Sequence, residues 1–257
     1  MNLMEDMLAK VWAARLGVPD NFTVALVRLD MLELQMQQTG KTGLAEFYLT
    51  PEEQRRFFGF TYRKRQTEWF GGRICAKYAA ARLLHPDCRT EAIPWRDWTV
   101  SADEHGKPFL KPGQCDISIS HSGRLAVAMA APVSCGIDIQ KITPTVVKVQ
   151  DRFSSADERL LLAAAPGLKT ADEMTRLTVL WSAKEAVRKA FAASPLPGFM
   201  EIEQARIDGS LDGREGLLID FVCQRDNPSA HRLQVMAMLY DDFAFALAFS
   251  AERNPLF

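Results

Sequence analysis

The sequence predicts an α/β chain of the α+β kind, built as two similar halves facing each other across a cleft. Three observations carry that prediction. Helical periodicity and strand alternation recur twice in the same order: a capped helix, a break, a second helix and then strands. Local words also repeat. Leu49-Thr50-Pro51, with Glu53 and Arg55, is echoed by Phe153-Ser154-Ser155, with Asp157 and Arg159. FGGRICAK (Phe70 to Lys77) is echoed by WSAKEAVR (Trp181 to Arg188), which sets Arg73 over Lys184. Finally, the tail from Gln204 to Phe257 is rich in strand formers. The chain divides into a helical extension (1–20), an N-terminal half (21–132) and a C-terminal half (133–257).

In order along the chain, Leu3 to Leu16 has the apolar spacing of a short amphipathic helix and ends at Gly17. FTVALVRL, Phe22 to Leu29, reads as a buried strand, and MLELQMQQTG as a helical connection. Thr50 is placed to cap a helix with Pro51 at its first position, and Glu52 and Glu53 suit the positive helix start. Thr61 to Leu84 is strongly basic (Arg63, Lys64, Arg65, Arg73, Lys77, Arg82). Its Trp69, Phe70, Ile74, Ala76, Ala79, Ala80 and Leu83 tie it to a core helix, which favours a fixed anion site over a solvated face.

Glu91 to Val100 reads as a loop leading into a strand, and EHGKPFL as a turn that brackets Lys107. CDISISHSGRLAVAMAA is a hairpin about Ser122-Gly123, followed by a third strand, CGIDIQKI. FSSADERLLLAAA is a helix capped by Ser154 or Ser155, and Pro166-Gly167 breaks it before the next helix. In that helix Trp181, Lys184, Glu185, Arg188 and Lys189 form one charged stripe between two apolar strips. Charged side chains are rarely fully buried unless paired, so the stripe predicts a polar cleft. The plainer alternative pairs Glu185 with Lys189 on an ordinary amphipathic helix. The tail reads as a hairpin followed by two strands about Asp241-Asp242.

With 257 residues, 47% hydrophobic and 25% charged, the chain is long enough for a sizeable core. A formal net charge of −1 argues against a general nucleic-acid binder. Cys75, Cys88, Cys115, Cys135 and Cys223 are odd in number and scattered without zinc spacing, which suits reduced thiols in a cytoplasmic protein. No apolar run approaches the ~20 residues of a membrane span.

In GIDIQ, Asp138 and Gln140 share one face of a strand, ~6.5 Å apart. Glu185 would add a third oxygen from the helix. Two carboxylates and an amide carbonyl suit a magnesium ion that shares substrate phosphate oxygens. The basic residues from Arg63 to Arg73, with Lys107 and Lys184, then suit a polyphosphate, and His121 could hydrogen-bond phosphate or ribose.

SISHSG, GIDIQ, FSSADE and WSAKEAVRKA, in this order, resemble the motifs of the 4'-phosphopantetheinyl transferase superfamily, in its larger, surfactin-synthetase-type, pseudo-dimeric branch. HGKP and the basic run match more loosely, and the resemblance covers roughly Leu49 to Ala190. It implies a pseudo-twofold fold with coenzyme A between the halves. It also implies magnesium-dependent transfer of the 4'-phosphopantetheine arm to a serine of an acyl- or peptidyl-carrier domain, releasing adenosine 3',5'-bisphosphate. By position it makes Asp138, Gln140 and Glu185 metal ligands, with Gln140 where the family usually has a glutamate. Lys184 and Lys189 would neutralise the pyrophosphate. Ser120, His121 and Lys107 would bind coenzyme A, with Arg56, Arg63 and Arg73 on its adenosine phosphates. Glu185 is the first choice for the base that takes the serine proton, and Asp157 the second. The implied partners are coenzyme A and the carrier domains of polyketide, nonribosomal-peptide or fatty-acid synthesis, with no nucleic acid and no membrane. Each chain would work as a monomer. A non-catalytic protein that binds coenzyme A or a carrier on the same fold is the alternative.

Overall fold

A computed structural model describes residues 22–86, 93, 95–113, 115–191, 196–209, 216–223 and 231–249, with the side chains of 231–232 left out. The expected N-terminal helix and Cys88 lie outside these residues. The first half runs β1 (Thr23–Arg28), α1 (Leu29–Thr39), α2 (Lys41–Tyr48), α3 (Pro51–Phe58), α4 (Arg63–Leu84), β2 (Thr99–Ala102), β3 (Pro108–Lys111), β4 (Asp116–Ser122) and β5 (Leu125–Ala131). The second runs β6 (Cys135–Lys141), α5 (Thr145–Lys148), α6 (Ala156–Ala164), α7 (Glu173–Ala190), β7 (Ile202–Gly209), β8 (Leu217–Cys223), β9 (His231–Tyr240) and β10 (Phe243–Phe249). This is an α+β fold of two antiparallel five-stranded sheets, with strand orders β1-β5-β4-β3-β2 and β6-β10-β9-β8-β7. The two orders are one topology used twice. In each, a leading strand is followed by helices, and a four-stranded meander returns to pair with it.

Each sheet carries its long helix on one face. Phe70, Ile74, Ala76 and Ala80 of α4 are buried against the first sheet, and Leu177, Val179, Leu180, Ala183 and Val187 of α7 against the second. The other faces meet in a third cluster, where Leu125, Val127 and Met129 of β5 pack with Ile137, Ile139, Phe243 and Phe245. Full burial of such side chains contributes about 1.5–3 kcal/mol each. Gly71 lets α4 approach its sheet, since a Cβ there would lie 2.5 Å from Leu29 Cδ2 and 3.3 Å from Ala126 Cβ.

The expected helix starts are present. Thr50 and Ser155 each close a capping box, with Glu53 and Glu158 as the reciprocal acids, so Ser155 rather than Ser154 is the cap. Each acid then bolts its half together. Lys77 Nζ donates to Glu53 Oε2 at 2.5 Å and to the carbonyls of Tyr48 and Trp95 at 2.8 and 2.7 Å, while Val100 N–H donates to Glu53 Oε1. Lys184 Nζ pairs with Glu158 at 2.7 Å and donates to the carbonyls of Phe153 and Phe199 at 2.8 and 3.1 Å, while Gln204 N–H donates to Glu158 Oε1. The repeat is real but its register is corrected: Lys184 corresponds to Lys77, one helical turn beyond Arg73. Burial pulls both ammonium groups below the ordinary lysine range and the partner glutamates pull them back.

The halves are joined by a side-chain ladder. β6 is an edge strand, and the N–H groups of Cys135, Ile137, Ile139 and Lys141 donate to Asp116 Oδ2, Ser118 Oγ, Ser120 Oγ and Ser122 Oγ of β4. Alternate residues of DISISHS thereby satisfy an edge that would otherwise be unpaired.

Candidate active site

β6 and α7 build the centre of the site. Even-numbered residues of β6 face α7, and the contact is close: a Cβ on Gly136 would sit 1.9 Å from Ala186 O. Two residues on, Asp138 is 5% exposed. Its Oδ1 accepts from Ser120 Oγ at 2.7 Å and Lys189 Nζ at 2.8 Å, and Lys189 also donates to Ile137 O at 3.0 Å. Asp138 Oδ2 is buried with no hydrogen-bond partner. Such an atom is costly to leave unmatched, by about 1–3 kcal/mol or more when charged.

Glu185 accepts from Arg188 Nη1 at 3.1 Å, so the helix pairs Glu185 with Arg188 and sends Lys189 to Asp138, rather than pairing Glu185 with Lys189. Arg188 is held in turn by Pro197 O at 2.9 Å and by the Phe199 ring, 4.5 Å from its guanidinium. Burial raises the Glu185 carboxyl above the ordinary range; Lys189 pulls it back and the Asp138 charge adds to the rise. Half-buried Gln140 lies beyond Asp138 on the same face, its amide 3.5 Å from Lys141 O.

A partnerless carboxylate oxygen beside a second desolvated carboxyl is the donor set of a hard divalent cation, so these residues fit magnesium. Among the described residues no group of three His, Cys, Asp or Glu side chains is arranged to hold a metal.

Two adjoining clefts lead away from Lys189. One, of about 170 Å³, is lined by Lys107, Ile117, Ile119, Phe191 and Lys189. It shares Gly106, Pro108 and Ile119 with a second, of about 310 Å³, which is lined by Arg56, Arg65, Glu68, Trp69, Arg73 and His121. Arg65, Trp69 and Arg73 recur every four residues on one face of α4. The Arg73 guanidinium lies 4.3 Å from the centre of the Trp69 ring, and burial pushes its pKa down to about 10, so it remains a cation at neutral pH. His121 Nδ1 lies 3.8 Å from Glu68 Oε1. Desolvation lowers the His121 pKa, Glu68 opposes that, and Lys189, Arg65 and Lys64 add to it.

The structure therefore gathers Arg56, Arg73 and His121 in one cleft and Lys107 and Lys189 in its neighbour, and Lys189 joins the second cleft to Asp138 and Ser120. Lys107 is engaged with Asp116 at 3.0 Å and Ser134 at 3.1 Å.

Three residues fall elsewhere. Lys184 is 1% exposed and its ammonium is taken up by three acceptors, so it faces the core behind α7 and not a pyrophosphate. Arg63 pairs with Glu33 at 2.6 Å and lines a separate cleft with Met36, Lys41 and Phe60. Asp157 is exposed on α6, and no described ion pair or hydrogen bond joins it to Asp138, Glu185 or Lys189. Sequence reasoning did not single out Glu68 as part of the cleft with Arg65, Trp69 and Arg73. The four-residue spacing Arg65, Trp69, Arg73 was the available signal. Cys75, Cys115, Cys135 and Cys223 are all buried; burial pushes the Cys115 thiol up to about 12 and those of Cys75 and Cys135 well above the usual range, which disfavours the reactive thiolate at these three.

Residues 52–131 match the family model of the 4'-phosphopantetheinyl transferase N-terminal domain, and residues 134–248 that of the 4'-phosphopantetheinyl transferase superfamily. The chain is 31% identical over 150 residues to 4'-phosphopantetheinyl transferase Sfp of Bacillus subtilis, covering 55% of this chain and 64% of that one. It is 31% identical over 140 residues to enterobactin synthase component D of Salmonella typhi, covering 53% of each. These alignments take in less than two thirds of those larger relatives. Against the holo-(acyl-carrier-protein) synthase of Geobacillus sp. (strain WCH70), identity is 31% over 109 residues, 41% of this chain and 88% of that one. With a duplicated fold, matches in both halves and the motif residues gathered at one seam, the chain belongs to the 4'-phosphopantetheinyl transferase superfamily, in its larger Sfp-like branch.

Proposed function

We propose that this protein transfers the 4'-phosphopantetheine arm of coenzyme A to a serine of an acyl- or peptidyl-carrier domain, with magnesium, releasing adenosine 3',5'-bisphosphate. The observation that carries the reading is the buried, partnerless Oδ2 of Asp138 beside the raised carboxyl of Glu185, next to Lys189 and at the end of a cation-lined seam. The names of its relatives supply the reaction class.

In this reading Arg56, Arg73 and His121 take the adenosine phosphates, and Lys107 flanks the path towards Lys189. Lys189 neutralises charge on the pyrophosphate. Asp138 and Glu185 hold the magnesium ion, with the Gln140 carbonyl as a weaker third ligand. Bound there, the ion supplies charge neutralisation for the phosphoryl oxygens. The serine oxygen forms a bond to the phosphorus that carries the pantetheine arm. The bond from that phosphorus to the adenosine phosphate breaks, and Glu185 accepts the serine proton. Residues 21–132 bind most of the coenzyme A and 133–257 hold the reacting groups. One chain carries both, so the working unit is a monomer in the cytoplasm.

The alternative is a protein that binds coenzyme A or a carrier without transfer. Gln140 favours it, since an amide in place of a carboxylate weakens a hard-cation site. Intact-mass spectrometry of apo carrier domains incubated with this protein, coenzyme A and magnesium decides between them. Transfer adds one phosphopantetheine arm to the carrier. Coenzyme A binding with no mass gain on any carrier would establish the alternative.

A further inference from the structure

We propose that Ser120 is a positioning residue that sets the orientation of the Asp138 carboxylate for a divalent cation, and that it does not serve as a phosphate donor. The inference rests on the metal site just proposed. Ser118, Ser120 and Ser122 share one face of β4, and each hydroxyl oxygen accepts one amide N–H of β6, at 3.0, 3.3 and 3.0 Å. Ser120 differs in what its proton does. A hydroxyl has one proton to donate, and that of Ser120 goes to Asp138 Oδ1 at 2.7 Å, in a site where the residue is 7% exposed. With the proton spent there and the oxygen taken up by Ile139 N–H, nothing remains to offer a phosphate.

Its effect on Asp138 is specific. Ser120 and Lys189 both donate to Oδ1, which pins the carboxylate about its last torsion and leaves Oδ2 as the atom without a partner. An outer hydrogen bond of this kind fixes which oxygen faces a cation, and losing one typically weakens metal affinity ~10–100-fold. The ladder contains its own control. Ser122 makes the same type of amide bond, to Lys141 N–H, with no described bond from its hydroxyl to a carboxylate.

The test is a manganese titration followed by electron paramagnetic resonance. It is run on the full chain saturated either with coenzyme A or with dephospho-coenzyme A, which lacks the 3'-phosphate. S120A is expected to weaken manganese binding on the order of 10-fold in both complexes. S120T, which keeps the hydroxyl, is expected to restore it, and S122A to leave it unchanged. The inference is overturned if S120A matches the parent in manganese affinity, or if its effect is confined to the coenzyme A complex, which would assign the hydroxyl to the 3'-phosphate. A parent protein that binds no manganese overturns it as well. The carrier mass assay remains separate. Transfer by the parent with no S120A effect on manganese sinks only this inference, whereas a manganese effect without transfer sinks only the proposed reaction.

Discussion

The two halves share one scaffold and differ at the positions that matter. In β6, Asp138 lies opposite Ala246 and Gln140 opposite Ala244; in β1 the same places in the ladder, opposite Ala128 and Ala126, are Ala25 and Val27. On the helices, matching Lys77 to Lys184 sets Tyr78 against Glu185 and Arg82 against Lys189. The difference continues on β4 and its counterpart in the second sheet. Ser118, Ser120 and Ser122 of β4 have Met236, Met238 and Tyr240 of β9 as counterparts, because Ser122 pairs with Leu125 as Tyr240 pairs with Phe243. The β4–β6 junction is polar, whereas Val24 and Leu26 of β1 and Met236, Met238 and Tyr240 of β9 all belong to the apolar cluster between the sheets. The lysine–glutamate bolt is common to both, so it belongs to the scaffold, whereas the candidate site residues Asp138, Glu185 and Lys189 have counterparts of a different kind in the first half.

The largest effect that would break this comparison is on transfer. D138A and E185A are each expected to lower phosphopantetheinylation on the order of 100-fold or more while leaving the fold intact. Y78F, at the counterpart of Glu185, is expected to leave it near the parental rate. A Y78F loss as large as that of E185A, in the same mass assay, would show that the first half also carries reacting groups.

Next in size is the shared bolt. K77A and K184A each strand a buried glutamate, and each is expected to destabilise by about 3–5 kcal/mol in urea unfolding. Replacing a whole pair by apolar residues of similar volume should cost far less. Unequal losses in K77A and K184A would mean that the two pairs are not equivalent.

Gly136 sharpens the comparison further. Its counterpart Thr23 has room for a side chain and donates to Ala79 O at 2.5 Å. T23A should therefore cost about 1 kcal/mol. G136A pushes a Cβ into Ala186 O and is expected to cost about 1–3 kcal/mol, and to lower transfer by displacing Asp138 from Lys189.

The smallest effects concern charge. Because the Glu185 pKa is raised, the stability this group contributes is full below the ordinary glutamate value of about 4.3 and is lost as pH rises through its elevated value. E185Q should thus be more stable than the parent above that window, with the difference vanishing in acid. Thermal unfolding from pH 4 to 8 reads this, and a pH-independent difference would contradict it. Q140E restores a carboxylate on the strand and should lower the magnesium concentration needed for half-maximal transfer. No change would remove Gln140 from the ligand set.

Much of this was legible in the sequence. Most strands, the cap at Thr50, a cap at Ser154 or Ser155 and the hairpin about Ser122-Gly123 follow from local patterns, whereas EHGKPFL, read as a turn, runs into the strand β3. Other features depend on partners distant in the chain. Lys184 sits in the same stripe as Glu185 and Lys189, and only the return of Glu158 from the capping box of α6 turns it into the core. Arg63 stands in the basic run, yet helical rotation puts Arg65, not Arg63, on the face with Trp69 and Arg73. The helix α2 went unread because KTGLAEFY carries Gly43 and Thr42 and buries only Ala45. Its place is set by the packing of Tyr48 on Phe70 and Trp95.

The claim that one duplicated scaffold carries one site is tested most directly by calorimetric titration of coenzyme A in magnesium, on the parent and on the D138A/E185A double variant. One coenzyme A per chain, with its magnesium dependence abolished in the double variant, is the result this account predicts. Two equivalents per chain, or a magnesium dependence that survives the loss of both carboxylates, would contradict it.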